Sequence, residues 1–281
     1  MAAVHFLHAR IDERLWRAIR ERRGATGEST AEIVESALRA HLDIEGDTAF
    51  QTSTIGAVLD GVYHGDVSVG ELREHGDFGL GTFNDLDGEL VMLDGIVYRM
   101  DRECRAHAVP DDVRSPFATV TRWVTICHAE VTDVPRLAQF ESRVLELMRS
   151  PNYLYGVRAE GRFRSIEVRS VARQPRGTRL IDATRSQTTR VLTDCDGTLV
   201  GFYTPPFLGH VGVSGFHLHF ITRALDAGGH VLGFDLERAR VELDEMPQLN
   251  LALPESDDFR HARLAVDPAE LEEAEKKRRE D

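Results

Sequence analysis

Apolar and polar residues alternate over much of this chain, the pattern of strands half-buried against a core. In Gly215-Phe216-His217-Leu218-His219-Phe220-Ile221 a period of two puts Phe216, Leu218 and Phe220 on one face and His217 with His219 on the other. Gly228-Gly229 then marks a turn, and the run from His230 to Phe234 reads as the return strand of a hairpin. Asp87-Gly88 and Asp94-Gly95 are tight turns that predict strands over 89–93 and 96–99. The same alternation predicts strands over 117–121, 123–126, 153–157, 163–171, 191–192, 198–203, 211–221 and 249–253. One long helix interrupts them over 134–149, where Leu137, Phe140, Val144, Leu145 and Met148 recur at helical spacing before Ser150-Pro151-Asn152 stops it. A helical turn is predicted at 68–72.

Residues 1–46 read as a separate module: a strand over 4–11, a helix over 12–23 with Leu15, Trp16 and Ile19 on one side, a break from Gly24 to Gly27, and a second helix opened by Ser29 or Thr30. The second helix repeats Ile33, Val34, Ala37, Leu38 and Leu42. The expectation is therefore an α+β chain, with β-rich mixed sheets in two packed subdomains, about 47–160 and 161–281, behind a small strand-helix-helix module. The module resembles a ribbon-helix-helix unit, in which two chains pair their strands into a ribbon that enters the DNA major groove. Phe6, His8 and Arg10 would face that groove. Residues 1–50 hold 7 Arg, no Lys and 9 Asp plus Glu, a balance of −2, so dimerisation suits the module as well as DNA does.

Charge and length narrow the function. At 281 residues with 42% hydrophobic content the chain can bury a full core, and no apolar run nears the roughly 18 residues of a membrane helix. The N-terminus carries no secretory pattern, and a cytoplasmic protein is expected. A net charge of −13 disfavours nonspecific binding of a phosphate backbone by the whole molecule. Cys104, Cys127 and Cys195 lack CxxC spacing, so neither a disulfide framework nor a cysteine metal site is indicated. The glycine-rich run His75–Asn84 lacks the Lys-Ser/Thr and following helix of a phosphate loop.

The histidines carry the candidate chemistry. On an extended strand the Cα atoms of His217 and His219 lie about 6.6 Å apart, close enough for both rings to converge on one ion, and His230 can supply a third ligand. Three imidazoles with an open position suit catalytic zinc, and also copper, iron or nickel. The same pair also fits a plain reading as polar residues on a solvated strand face.

A set of longer motifs resembles the α-acetolactate decarboxylases: Ser53-Thr54-Ile55, Gly61-Val62-Tyr63, the run His75–Asn84, Leu86-Asp87-Gly88-Glu89, Pro116-Phe117-Ala118, Gly197-Thr198-Leu199-Val200-Gly201-Phe202 and the histidine stretch. The resemblance implies a zinc-dependent enzyme that converts 2-acetolactate to acetoin and carbon dioxide through a metal-stabilised enediolate. It implies His217, His219 and His230 as zinc ligands and Arg169, Glu89 and Thr82 as active-site residues. A tail glutamate near the metal is implied too, Glu275 by its spacing from Leu271, with Glu272 and Glu273 close behind. In this reading zinc acts as a Lewis acid, Arg169 holds the leaving carboxylate or the developing oxyanion, and Glu89 or the tail glutamate manages the proton. A homodimer is expected. The competing reading is a small-molecule-sensing regulator that binds DNA through residues 1–46.

Overall fold

The computed structural model describes residues 7–26, 29–41, 48–265 and 267–275. The chain divides into two compact units, Met1–Gly46 and Asp47–Asp281. The first holds α1 (Glu13–Thr26) and α2 (Thr30–His41). Asp12 caps α1 by accepting the Leu15 amide at 2.8 Å, and Ile19 and Ile33 are buried. Of the strand expected over 4–11, residues 4–6 lie outside the described residues, and Leu7 to Ile11 form no strand. A single ribbon strand has no ladder partner of its own, so its amides gain nothing by extension. The helix also runs through Gly24 rather than stopping there.

In the second unit the order is β1 (Thr48–Thr52), α3 (Ile55–Leu59), β2 (Val67–Ser68), α4 (Val69–His75), β3 (Phe78–Thr82), β4 (Glu89–Leu93), β5 (Ile96–Met100), β6 (Ala106–Ala108), β7 (Arg114–Ser115), β8 (Phe117–Thr121) and β9 (Cys127–Val134). Then follow α5 (Leu137–Leu147), β10 (Leu154–Ser170), α6 (Leu180–Thr184), β11 (Thr188–Thr204), β12 (Gly215–Thr222), β13 (Gly228–Met246), β14 (Gln248–Ala252), α7 (Asp257–His261) and α8 (Pro268–Glu275). Seven strands form one sheet in the order β14-β1-β8-β3-β4-β5-β6. Five form a second, β10-β11-β12-β13-β9, in which β10 also pairs with β13 so that the sheet rolls onto itself, and β2 pairs with β7 in a small third sheet.

The division anticipated near residue 160 falls inside β10. The sheets part instead between β8 and β9, and β14 returns from the far end of the chain to lie parallel to β1. The segment expected as a strand over 123–126 is the crossing between them, because side chains take its first two amides: Asp77 Oδ1 accepts from Trp123 at 2.8 Å and Asp244 Oδ2 from Val124 at 3.3 Å. The helix expected over 134–149 starts only at Leu137, since Val134 still pairs with Leu236. Ser68 and Glu71 close a reciprocal capping box on α4. The glycine-rich run is β3 itself: a Cβ on Gly81 would stand 2.3 Å from the Phe117 carbonyl oxygen, and one on Gly79 2.6 Å from that of Thr119.

The strands of the second sheet are long, 17 residues in β10 and β11 and 19 in β13, and their two faces serve different cores. One face, with Tyr155, Val157, Phe163, Leu218 and Phe220, packs inside the rolled sheet against Phe140 and Val144 of α5. The other, with Val200, Phe202 and Ile221, meets Phe78, Leu80 and Val91 of the first sheet. At one end of this contact α3, α6 and α8 cluster over Phe117 and Val171.

Candidate active site

The β12–β13 hairpin sets His219 directly opposite His230, and β10 sets Arg169 on the other side of His230, so three functional side chains occupy one row across three strands. Close approach explains the two glycines before His230: a Cβ on Gly228 would meet the Phe220 carbonyl oxygen at 2.1 Å, and one on Gly229 that of Arg169 at 2.4 Å. His217 lies two residues before His219 and shares its face. The three ring centroids are 5.0, 5.1 and 5.4 Å apart, and one ring nitrogen from each lies within 4.8 Å of the others.

Arg169 reaches this face through an irregularity. Odd-numbered Tyr155, Val157, Ala159 and Phe163 of β10 point into the rolled sheet, but beyond the register shifts near Phe163 and Ser165 the inward residues are Ile166 and Val168. The bulge reverses the alternation and turns Arg169 out to the histidines.

The imidazoles are held in a form that binds metal. His219 is fully buried, and its Nδ1–H donates to the Leu90 carbonyl at 2.8 Å. That bond leaves Nε2 with the lone pair, and Nε2 has no hydrogen-bond partner despite its burial. Burial pushes His217 down to about 3, helped by the Arg169 charge. Burial likewise holds His219 well below the usual imidazole range, with His217 and Arg169 adding to it. Neutral rings and an orphaned, inward-facing nitrogen fit a metal ion, and among the described residues these three histidines form the group able to hold one.

Glu89 opens β4 on the facing sheet. Its Oε2 is 3.6 Å from His219 Nε2 and its Oε1 accepts from Arg169 Nη1 at 3.4 Å. Arg169 is 3% exposed, and Nη2 donates to the Ala274 carbonyl of α8 at 3.2 Å. Thr82, opposite Glu89 on β3, donates its hydroxyl to the Gly88 carbonyl at 2.8 Å and so braces the turn that delivers the glutamate. Glu89, Arg169, Thr82, His217 and His230 line one small cavity of about 40 Å³, whose remaining wall, beside Gly81, is apolar: Ile55, Val58, Leu86, Phe117, Val171 and Leu180.

The tail is positioned in part. Leu271 and Ala274 of α8 are buried against α3 and α6, and Glu273 is exposed. The side chains of Glu275 and Glu272 lie outside the described residues. Sequence reasoning missed the Leu90 carbonyl and the apolar wall on α3 and α6. A backbone oxygen leaves no mark in a sequence, and five-residue helices are too short for a helical period to show.

Comparison with known proteins gives the family. The alpha-acetolactate decarboxylase family matches residues 49–266. This chain belongs to that family. It is 38% identical to the alpha-acetolactate decarboxylase of Bacillus licheniformis over 76% of its own length and 85% of the relative's. It is 40% identical to that of Methylococcus capsulatus over 79% of this chain and 85% of the other. The crystal structure of the Bacillus subtilis strain 168 alpha-acetolactate decarboxylase superposes with a TM-score of 0.79 at 34% identity, covering 82% of this chain and all of that one. As an acetolactate decarboxylase it is an α+β enzyme, and its family match begins only after residues 1–46.

Proposed function

We propose that this decarboxylase removes carbon dioxide from 2-acetolactate to give acetoin, with zinc held by His217, His219 and His230. The observation that carries the reading is three convergent imidazoles, one with an orphaned buried nitrogen, beside a buried arginine-glutamate pair. Zinc, when bound, supplies Lewis acidity toward the negative charge left on oxygen as carbon dioxide departs. Arg169 binds the substrate carboxylate: its planar fork matches two oxygens, and two of its partners, a glutamate and a backbone carbonyl, are acceptors that an anionic ligand can replace. Holding that group directs the bond to be broken. The electron pair then spreads toward the neighbouring ketone oxygen, and a proton must return to carbon. Glu89, between Arg169 and His219, is the proposed proton donor, with Glu275 as the second carboxyl of the site. Thr82 keeps Glu89 in place.

Purified protein supplied with 2-acetolactate is expected to release acetoin, to lose that activity on chelation, and to regain it with added zinc. Chelator-resistant turnover would reject the metal role. Absence of acetoin from the zinc-loaded protein would reject the substrate.

Residues 1–46 add pairing of chains rather than chemistry. Leu7, Ile11, Leu15 and Trp16 are exposed in the single chain, which favours a homodimer built on this module. Deleting 1–46 is expected to lower the sedimenting mass and leave zinc content and acetoin release largely intact; an inactive truncation would make the module part of the catalytic fold. Any DNA binding through it should be weak and salt-sensitive, because the whole chain carries −13. No helix among the described residues is long and apolar enough to cross a membrane. Three free thiols suit the reducing cytoplasm.

A further inference from the structure

In the proposed reaction the substrate's carboxylate, hydroxyl and ketone take the polar half of the cavity. The other half is apolar, and the reaction assigns it no chemical task. 2-Acetolactate has two methyl groups left to place, and one sits on the carbon that carries the carboxylate. If Arg169 holds the carboxylate, that carbon is one bond away, and its alkyl group must lie against whatever apolar surface adjoins the guanidinium.

Val171 is the apolar lining residue nearest to Arg169 along the chain. It follows Arg169 by two residues, so both side chains emerge on the same side of the chain, and both line the cavity. Leu180, the first residue of α6, completes the wall there. Neither can easily withdraw: Val171 is 2% and Leu180 4% exposed, and they pack with Val58, Ala183, Leu271 and Ala274 in one closed cluster.

We infer that Val171 and Leu180 fix the size of the alkyl group on the carboxylate-bearing carbon, making this enzyme selective for methyl over longer chains among 2-alkyl-2-hydroxy-3-oxo acids. The inference rests on the proposed decarboxylation and adds to it which substrates are excluded and where. An extra methylene pressed into a filled apolar pocket changes kcat/KM by about 10- to 200-fold. Overpacking at a wall this well ordered acts in the same direction.

The experiment compares kcat/KM of the zinc-loaded full chain for 2-acetolactate and for its homologue with ethyl in place of that methyl. Wild type is expected to favour the methyl compound by about tenfold or more. Leu180→Ala and Val171→Ala should each move the ratio toward the ethyl compound by about tenfold. Leu180→Val, which keeps most of the packing, should move it the same way by less, and Val171→Ile should move it the opposite way. These milder variants keep the test alive if a truncation to alanine unfolds. A merely structural wall would lower both rates in proportion and leave the ratio fixed, and that result would overturn the inference. Equal use of both substrates by wild type would overturn it too. Failure of the wild-type chain to release acetoin at all would instead overturn the decarboxylase reading on which it stands.

Discussion

His219→Ala is expected to empty the metal site and to cut acetoin formation by at least about a thousandfold, the order of several kcal/mol of lost charge stabilisation. Among the three histidines this one has the most decisive surroundings. It is fully buried, its Nδ1 is tied to the Leu90 carbonyl, and its Nε2 has no hydrogen-bond partner among the described residues. A buried polar atom in that condition costs free energy unless something fills its lone pair. Zinc per chain and steady-state rate should fall together in the variant; full occupancy with full turnover would reject the assignment. The same burial gives a sign to the pH response of metal-free protein. His217 titrates near 3 when folded but near 6.5 when unfolded, so between those values the unfolded chain binds the extra proton. Stability of the metal-free form should therefore decline as pH falls below about 6.5, and be unaffected by this group above it.

Arg169→Lys is expected to keep zinc and lose about a hundred- to a thousandfold in kcat/KM, the range seen when one preorganised donor to developing charge is lost. The charge survives the substitution, and a lysine beside Glu89 leaves no carboxylate unpaired. What disappears is geometry. Arg169 donates from two nitrogens in different directions, one to Glu89 and one to the α8 backbone, and an ammonium on a flexible stem cannot hold a planar carboxylate in the same fork. Elemental analysis alongside kinetics separates the outcomes. Wild-type rates in the variant would dismiss the carboxylate role, whereas loss of zinc with loss of activity would make the residue a support for the histidines.

Much of the site could be read from residue order because strand geometry is simple. A period of two suffices to place His217 and His219 together, and a Gly-Gly turn suffices to bring a third ring back beside them. The motifs singled out Glu89 and Arg169, but nothing in the pattern said that Arg169 would face the histidines. It does so because a bulge reverses the alternation of β10, while the polar run Arg158 to Arg162, with its glycine, makes one 17-residue strand look like two short ones. The crossing at Trp123 to Ile126 reads as a strand because its residues are strand formers; only the carboxylates of Asp77 and Asp244, distant in sequence, divert its amides. Registers of this kind depend on partners that local preference does not name.

The parallel pairing of β1 with β14 joins Thr48 to Gln248. The first sheet is thus opened by one of the earliest residues of the catalytic unit and closed by one of the latest. On the ribosome β1 must wait, one edge bare, until nearly the whole enzyme has been made. Contacts of such long range make folding slow, because the loop must be closed before the pairing repays it. A nascent or truncated chain ending before residue 248 would carry an open, apolar-backed strand edge, the form of surface that recruits other chains. Completion of the last strand covers that edge and leaves the half-exposed β14 as the outer strand of the sheet.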